Sequence, residues 1–262
     1  MGACAGSFVA PPQDDNVAKA MSALLDGAAR LNIELGDAQL ATLDQLGAAL
    51  RDGNQRVNLT RITDPAEIET RHFLDSLSAA LPVLDRLHQG EALRLVDVGS
   101  GGGMPGLPLK IAFPQLRVTL VESVGKKAAF LRETVAQLGL ANVEIVALRA
   151  ELAARDPEQR DAFDWATARG LAKLPVVIEL CAPFLAAGGL LVAQRSGDLD
   201  AQLTRAAPAF KALHLWSRTP IELDLPGLEG HGLIVGEKYA PTPQAYPRRP
   251  GMANKHPLGS VD

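Results

Sequence analysis

The chain is short of cysteine, of net positive charge and of uninterrupted apolar sequence. Two cysteines in 262 residues, Cys4 and Cys181, cannot form a metal cluster. Cys181 lies in an apolar helical pattern and is expected to be buried, which fits a reducing, cytoplasmic setting. The formal charge is −4, so there is no chain-wide basic footprint, and any contact with nucleic acid has to come from local clusters. The most apolar stretch, residues 174–193, is broken by Pro175, Glu179, Pro183 and Gly188-Gly189, which excludes a membrane span. A signal peptide is not expected, and Gly6 stands where a myristoylation site needs Ser or Thr. No internal repeat or extended low-complexity tract is present. What remains is ordinary globular composition, 47% apolar and 21% charged, long enough for one large core or a main domain with a smaller appendage.

The informative stretch is Leu93 to Glu122. An apolar strand ends at Asp97 and runs into a glycine cluster; a helical segment follows; a second strand, Val118 to Val121, ends on Glu122. This is the opening half of a nucleotide-binding α/β unit. Gly101-Gly102-Gly103-Met104-Pro105-Gly106 satisfies the dinucleotide fingerprint, but Asp97 argues against a pyrophosphate. Phosphates need unopposed backbone N–H groups at the turn, and a carboxylate there repels them. The same carboxylate suits S-adenosylmethionine, which carries an α-ammonium and a sulfonium and no phosphate. Asp97-Val98-Gly99-Ser100-Gly101 then reads as its cradle, and Glu122 as the acceptor for both ribose hydroxyls. Taken singly, Asp97 as a turn acceptor and Glu122 as a solvated strand end read just as well. The pair around a Gly-rich turn favours the cofactor.

Before this unit, apolar periodicity predicts three helices. One carries Val17, Met21, Leu24, Leu25, Ala28 and Leu31 on one face. A second starts at Asp37 and stops at Gly53, and a third starts with Asp64-Pro65-Ala66-Glu67 and continues through Ile68, Phe73, Leu77 and Leu81. His72 and Asp75 on the third could face one another, and a capped or solvated pair is the commoner meaning. After the unit, alternating helices and strands continue. Strand three runs into Ala150-Glu151, strand four delivers Arg169 to the mouth of the crevice, and further strands fall near residues 190–194, 213–216 and 233–237. A guanidinium at the fourth strand tip suits a phosphate or carboxylate to be held. Residues 239–261 contain no acid but hold Arg248, Arg249, Lys255 and His256, with five prolines predicted to prevent a helix. Such a tail serves equally as an RNA-backbone contact or as a solvated end.

The expected organisation is therefore a disordered leader (1–16), an N-terminal helical cap (17–90), an S-adenosylmethionine-binding α/β domain with a mostly parallel, doubly wound sheet (91–240), and a basic proline-rich tail (241–262).

Several phrases together resemble one family, the bacterial small-subunit ribosomal RNA guanine-N7 methyltransferases (RsmG, also called GidB). They are Asn58-Leu59-Thr60 with Asp64-Pro65, the run Arg71 to Ser76 (RHFLDS), Asp97 to Leu109 (DVGSGGGMPGLPL), Glu122 to Lys127 (ESVGKK), Ala168-Arg169, and Tyr246 to Gly251 (YPRRPG) with Pro257-Leu258. The chain departs from the pattern at Gly53-Asn54, where family members usually carry an aromatic before the asparagine. The resemblance implies a Rossmann-like class I methyltransferase acting on N7 of guanine 527 in 16S ribosomal RNA, as naked RNA or in the 30S particle, with no obligate protein partner. It implies Gly99, Met104, Ala150, Glu151 and Arg169 along the cofactor, beside the Asp97 and Gly101 already read from the turn, with Glu122 on the ribose and Arg248 and Arg249 in an RNA-facing tail. No catalytic acid, base or metal is implied, because N7 has its own in-plane lone pair. Accordingly the sequence has no Asn-Pro-Pro-aromatic motif and no convincing nucleophilic cysteine. A methyltransferase of another RNA or of a small molecule is the alternative, followed by a nicotinamide dehydrogenase and a non-catalytic RNA-binding module.

Overall fold

The computed structural model describes residues 15–260. The expected leader therefore lies outside the described residues except for its last two, Asp15 and Asn16, which already belong to the first helix. The cysteine Cys4 also lies outside them.

Helix α1 (Asp15–Arg30) turns Leu24 and Ala28 inward, whereas Leu25 is 37% exposed and does not share their face as expected. Helix α2 (Asp37–Arg56) buries Leu43, Leu46 and Leu50 at helical spacing. It does not stop at Gly53 but passes through it for one more turn; the glycine lacks a left-handed φ and instead makes room for Phe130, whose Cε2 lies 2.5 Å from where a Cβ would stand. The third helix begins as predicted, with Asp64 accepting from the Glu67 N–H at 3.0 Å and Pro65 in the first turn. It is not a continuous α-helix. α3 (Pro65–Ile68) passes into a π-helical turn, Glu69–Leu74, before α4 (Asp75–Ser78) and, after a short 3₁₀ turn, α5 (Leu84–His88).

The α/β part follows the predicted alternation: β1 (Arg94–Val98), α6 (Gly106–Ala112), β2 (Arg117–Val121), α7 (Gly125–Gln137), β3 (Val143–Val146), α8 (Ala150–Ala153), β4 (Phe163–Arg169), α9 (Leu174–Cys181), β5 (Leu185–Ser196), α10 (Leu199–Ala212), β6 (Leu215–Ser217), β7 (Ile221–Glu222) and β8 (His231–Lys238). The sheet order is β3-β2-β1-β4-β5-β8-β6, with β7 paired to β8. β1 to β5 are parallel, and β8 lies antiparallel to β5. The order reverses beside β1, so β1 and β4 flank the switch point where ligands of such sheets bind. Contrary to the expectation that its prolines prevent a helix, the tail holds a short one, α11 (Met252–Lys255), in its longest proline-free window, between Pro250 and Pro257.

Both faces of the sheet are covered. On one, Leu95, Val118, Leu120 and Trp165 pack with Leu46, Leu50, Phe73 and Leu77, so the N-terminal helices share their core with the sheet. On the other, Val96, Val98, Ala166 and Leu191 pack with α9 and α10, and the tail contributes Ala253. Burying aliphatic surface on both faces is what makes these strands read as continuous apolar runs.

Candidate active site at the strand tips

The glycine turn is bound up internally. Gly99 and Ser100 donate their N–H groups to the Val121 carbonyl at 2.8 and 3.2 Å, and Gly101 donates to Glu122 Oε2 at 3.0 Å. Gly103 and Met104 donate to the Ser100 carbonyl, and Gly106 donates to Asp97 Oδ2 at 3.0 Å. A pyrophosphate needs these N–H groups free, so the turn is built for something other than a dinucleotide. Gly99 and Gly101 sit at φ +77° and +56°, the left-handed region that a side chain rarely adopts.

Asp97 is fully buried and does not line a cavity, so the direct contact expected of it is replaced by a bond to the start of α6. Its Oδ1, however, is buried without any partner. Burial pushes its carboxyl up to about 7; Arg169 pulls it down and Glu122 pushes it further up. Asp97 thus feels both the Arg169 guanidinium and the Glu122 carboxylate, and its Oδ1 remains an unused acceptor behind the turn. Glu122 is held by two N–H groups, that of Gly101 and that of Val124 at 2.7 Å. Each of its oxygens keeps a lone pair for a hydroxyl donor.

Around the turn lies a cavity of about 270 Å³ whose walls include Gly99, Gly101, Met104, Lys127 and Arg169. Glu122, Ala150 and Glu151 are not among its walls. Glu151 is turned instead to the tail, accepting the Gly251 N–H at 2.9 Å, while Ala150 is half-buried at the start of α8. Beyond the tips of β2 and β3, Val124 and Leu148 are 47% and 48% exposed, apolar surface on which a flat purine can lie.

Arg169 is the junction of the site. Its guanidinium donates to Asp75 Oδ2 at 2.9 Å, to the Arg71 carbonyl at 2.9 Å and to His72 Nδ1 at 3.0 Å. Nδ1 also lies 3.2 Å from the Arg71 carbonyl, but a guanidinium can only donate, so the shorter contact makes Nδ1 the acceptor and Nε2 the donor to Thr60 Oγ1 at 2.8 Å. Burial, helped by Arg169, pushes His72 down to about 4, so it is neutral and holds geometry without moving a proton. Burial alone would raise Asp75, but its bonds to His231 and Arg169 outweigh that and hold it below the usual carboxylate range. The same bond raises His231. The π-helical turn carries Arg71 and His72 and ends immediately before Asp75, so all three meet one guanidinium.

A second cavity of about 420 Å³ opens beside the first, walled by Arg71, His72, Asp75, Arg169, Gln194 and His231, among others. His72, Arg169 and Gly170 line both cavities. Sheet register explains the assembly. Arg169 pairs with Gln194 across β4 and β5, and Ser196, two residues on and on the same face, pairs with His231 of β8. Sequence reasoning singled out His72 and Asp75 without giving them a place in the site, and it missed Gln194 and His231. A polar Gln194 ending the apolar run from Leu190 was a usable signal; His231 had none, because only antiparallel pairing brings it there.

The two tail arginines part company. Arg248 is turned inward, forming a two-pronged pair with buried Glu179 (Nη2 to Oε2 2.6 Å, Nε to Oε1 2.9 Å), and its placement does not present it to RNA as expected. Arg249 is exposed.

The doubly wound sheet, the turn closed to phosphates at its switch point and a second cavity against the first fit a Rossmann-like, S-adenosylmethionine-dependent methyltransferase. The sheet places antiparallel β8 between β5 and β6 at the far edge from this crevice's β2 and β3 side. The family model described as rRNA small subunit methyltransferase G (GidB) matches residues 39–216, and the chain belongs to that family. It is 45% identical over 240 residues to "Ribosomal RNA small subunit methyltransferase G" of Roseiflexus castenholzii, covering 91% of this chain and 100% of that one. The protein of the same name from Dehalococcoides mccartyi is 41% identical over 91% of this chain and 100% of its own length. That of Limosilactobacillus reuteri is 43% identical over 80% and 87%.

Proposed function

We propose that the protein transfers the methyl group of S-adenosylmethionine to N7 of guanine 527 in 16S ribosomal RNA. The observation that carries this reading is the pair of cavities with a common wall of His72, Arg169 and Gly170. One is the cofactor's, at the glycine turn; the other is of a size for one flipped nucleotide. Family membership supplies the class of substrate.

Gly99, Gly101, Met104 and Arg169 would line the cofactor, with Asp97 acting on its positive charge from behind the turn rather than by contact, Glu122 serving its ribose hydroxyls, and the backbone at Ala150 and Glu151 beside its adenine. Bound there, S-adenosylmethionine supplies a methyl group on a sulfonium, which an in-plane lone pair can displace with no proton removed. The residues present agree with that economy. His72 is neutral and tied to Thr60 and Arg169, Cys181 is fully buried with its thiol pushed up by burial, and neither is placed to exchange protons with a substrate. Their work is alignment, which can supply most of the rate where no bond to hydrogen has to break.

Among the described residues no helix is long and apolar enough to cross a membrane. The route to RNA would run over Arg249 of the tail and Lys126 of α7, both exposed.

The direct test is primer extension after borohydride–aniline treatment of 16S RNA from cells with and without the protein. N7-methylguanine gives a strand break, expected at position 527 only when the protein is present. Labelling of naked 16S RNA, free 30S subunits and 70S ribosomes identifies the form acted on. A break elsewhere redirects the target, and label in none of the three removes ribosomal RNA as substrate.

A further inference from the structure

Gln194 sits 5% exposed at the carboxyl end of β5, and half of its amide is unused. Nε2 donates to the Asp75 carbonyl at 2.5 Å. This fixes the amide, since turning it over would set oxygen against oxygen. Oε1 is then left buried with no donor, an arrangement that is costly unless a ligand brings one. The side chain lines the 420 Å³ cavity together with Asp75. Asp75 presents a second acceptor: each of its carboxylate oxygens has one side-chain donor, Arg169 at 2.9 Å or His231 at 3.3 Å, and keeps a lone pair.

Two neighbouring acceptors with the Arg169 guanidinium beside them are complementary to one base edge. Guanine's Watson–Crick edge carries N1–H and an exocyclic N2 amine next to the O6 acceptor. Adenine places a lone pair at N1, which would face the carboxylate. Resting on guanine being the base methylated, we infer that Asp75 and Gln194 select it. The Asp75 carboxylate takes the more acidic imino N1–H, and Gln194 Oε1 takes the N2 amine. O6 is then left to the Arg169 guanidinium. N7 lies on the adjoining edge beyond O6, free of the acceptors that hold the base.

Small subunits rebuilt with inosine at the target position test this, because inosine lacks only the N2 amine. Wild-type protein is expected to show kcat/KM for guanine subunits about tenfold or more above that for inosine subunits. Gln194→Leu is expected to slow the guanine reaction until the two agree to within about twofold, with calorimetric affinity for S-adenosylhomocysteine unchanged. A ratio in Gln194→Leu as large as the wild type's overturns the assignment. Should the variant not fold, the wild-type ratio alone decides, and parity overturns it. Wild-type protein that labels neither kind of subunit overturns the ribosomal RNA reading itself, a result distinguishable from either of these.

Discussion

Arg169 at the tip of β4 and Asp75 at the start of α4 lie 94 residues apart in sequence and form an ion pair of 2.9 Å. Asp75 is almost wholly buried, and the guanidinium also ties down the Arg71 carbonyl and the His72 ring. The pair therefore fixes the wall between the two cavities to the sheet. Arg169→Ala is expected to lower methyl transfer at least about 100-fold, since misplacing reacting groups by an ångström has that effect. It should also destabilise the fold by about 3 kcal/mol, because Asp75 loses its permanent cation. Arg169→Lys restores charge without the fork and is expected to recover stability more than activity. Labelled-methyl transfer and urea unfolding of both variants check this; full turnover by Arg169→Ala would remove Arg169 from the site.

Asp97 gives a pH dependence of opposite sign for stability and for binding. Burial holds its carboxyl at about 7, above the value of an unfolded chain. A carboxyl raised in this way contributes stability that is complete below its unfolded pKa and is lost as pH rises through about 7. Glu69, also pushed to about 7 by burial, acts with the same sign, so the comparison has to be with a variant at Asp97. Asp97→Asn keeps an acceptor for the Gly106 N–H and is expected to stabilise the free protein at pH 8 by on the order of a few kcal/mol, with little effect near pH 4. Affinity for S-adenosylmethionine should behave in reverse. It weakens in the wild type as pH falls below about 7, and is low at every pH in Asp97→Asn. Calorimetry at pH 6 and pH 8 distinguishes these outcomes.

What the sequence disclosed depended on how local its cause was. The β1–turn–α6–β2 unit was legible because strand period, positive-φ glycines and terminal acids act within 30 residues of one another. The α3 start was legible because its cap, Asp64 to Glu67, is four residues long. The π-helical turn was not, since Arg71 and His72 within it meet Arg169, and that partner is set by the sheet. The roles of Glu151 and Arg248 were obscured for the same reason: each is defined by a partner about 100 or 69 residues away, Gly251 and Glu179. Charge and position alone could not separate an inward carboxylate or guanidinium from an outward one.

Gly53 shows such a distant cause in packing. A Cβ there would lie 2.5 Å from the Phe130 ring and 3.1 Å from Leu59, so Phe130 of α7 occupies the space beside Asn54. Asn54 in turn holds the Leu59 and Thr60 N–H groups at 2.8 and 3.0 Å, setting the loop that bears Thr60. Gly53→Trp alone is expected to destabilise by about 1–3 kcal/mol through overpacking, and Phe130→Ala by about 3–5 kcal/mol through the cavity it leaves. The double variant should recover much of both losses. Additive losses in urea unfolding would show that the two positions do not share one space.

The two tail arginines should separate stability from RNA affinity. Arg248→Ala leaves Glu179, 1% exposed, as an unpaired buried charge, and is expected to destabilise by about 3–5 kcal/mol. Because Arg248 Nη2 also holds the His256 carbonyl at 2.7 Å and its N–H caps Glu179, the loss should loosen residues 247–257 from α9. Limited proteolysis would report this as new cleavage in that segment. Arg249→Ala touches no such partner and should leave unfolding within about 0.5 kcal/mol of wild type. If Arg249 meets the RNA backbone, its loss weakens binding to 30S subunits and lowers the slope of log affinity against log salt by about one. An Arg248→Ala protein as stable as the wild type, or an unchanged salt slope in Arg249→Ala, would reverse the assignment of the corresponding arginine.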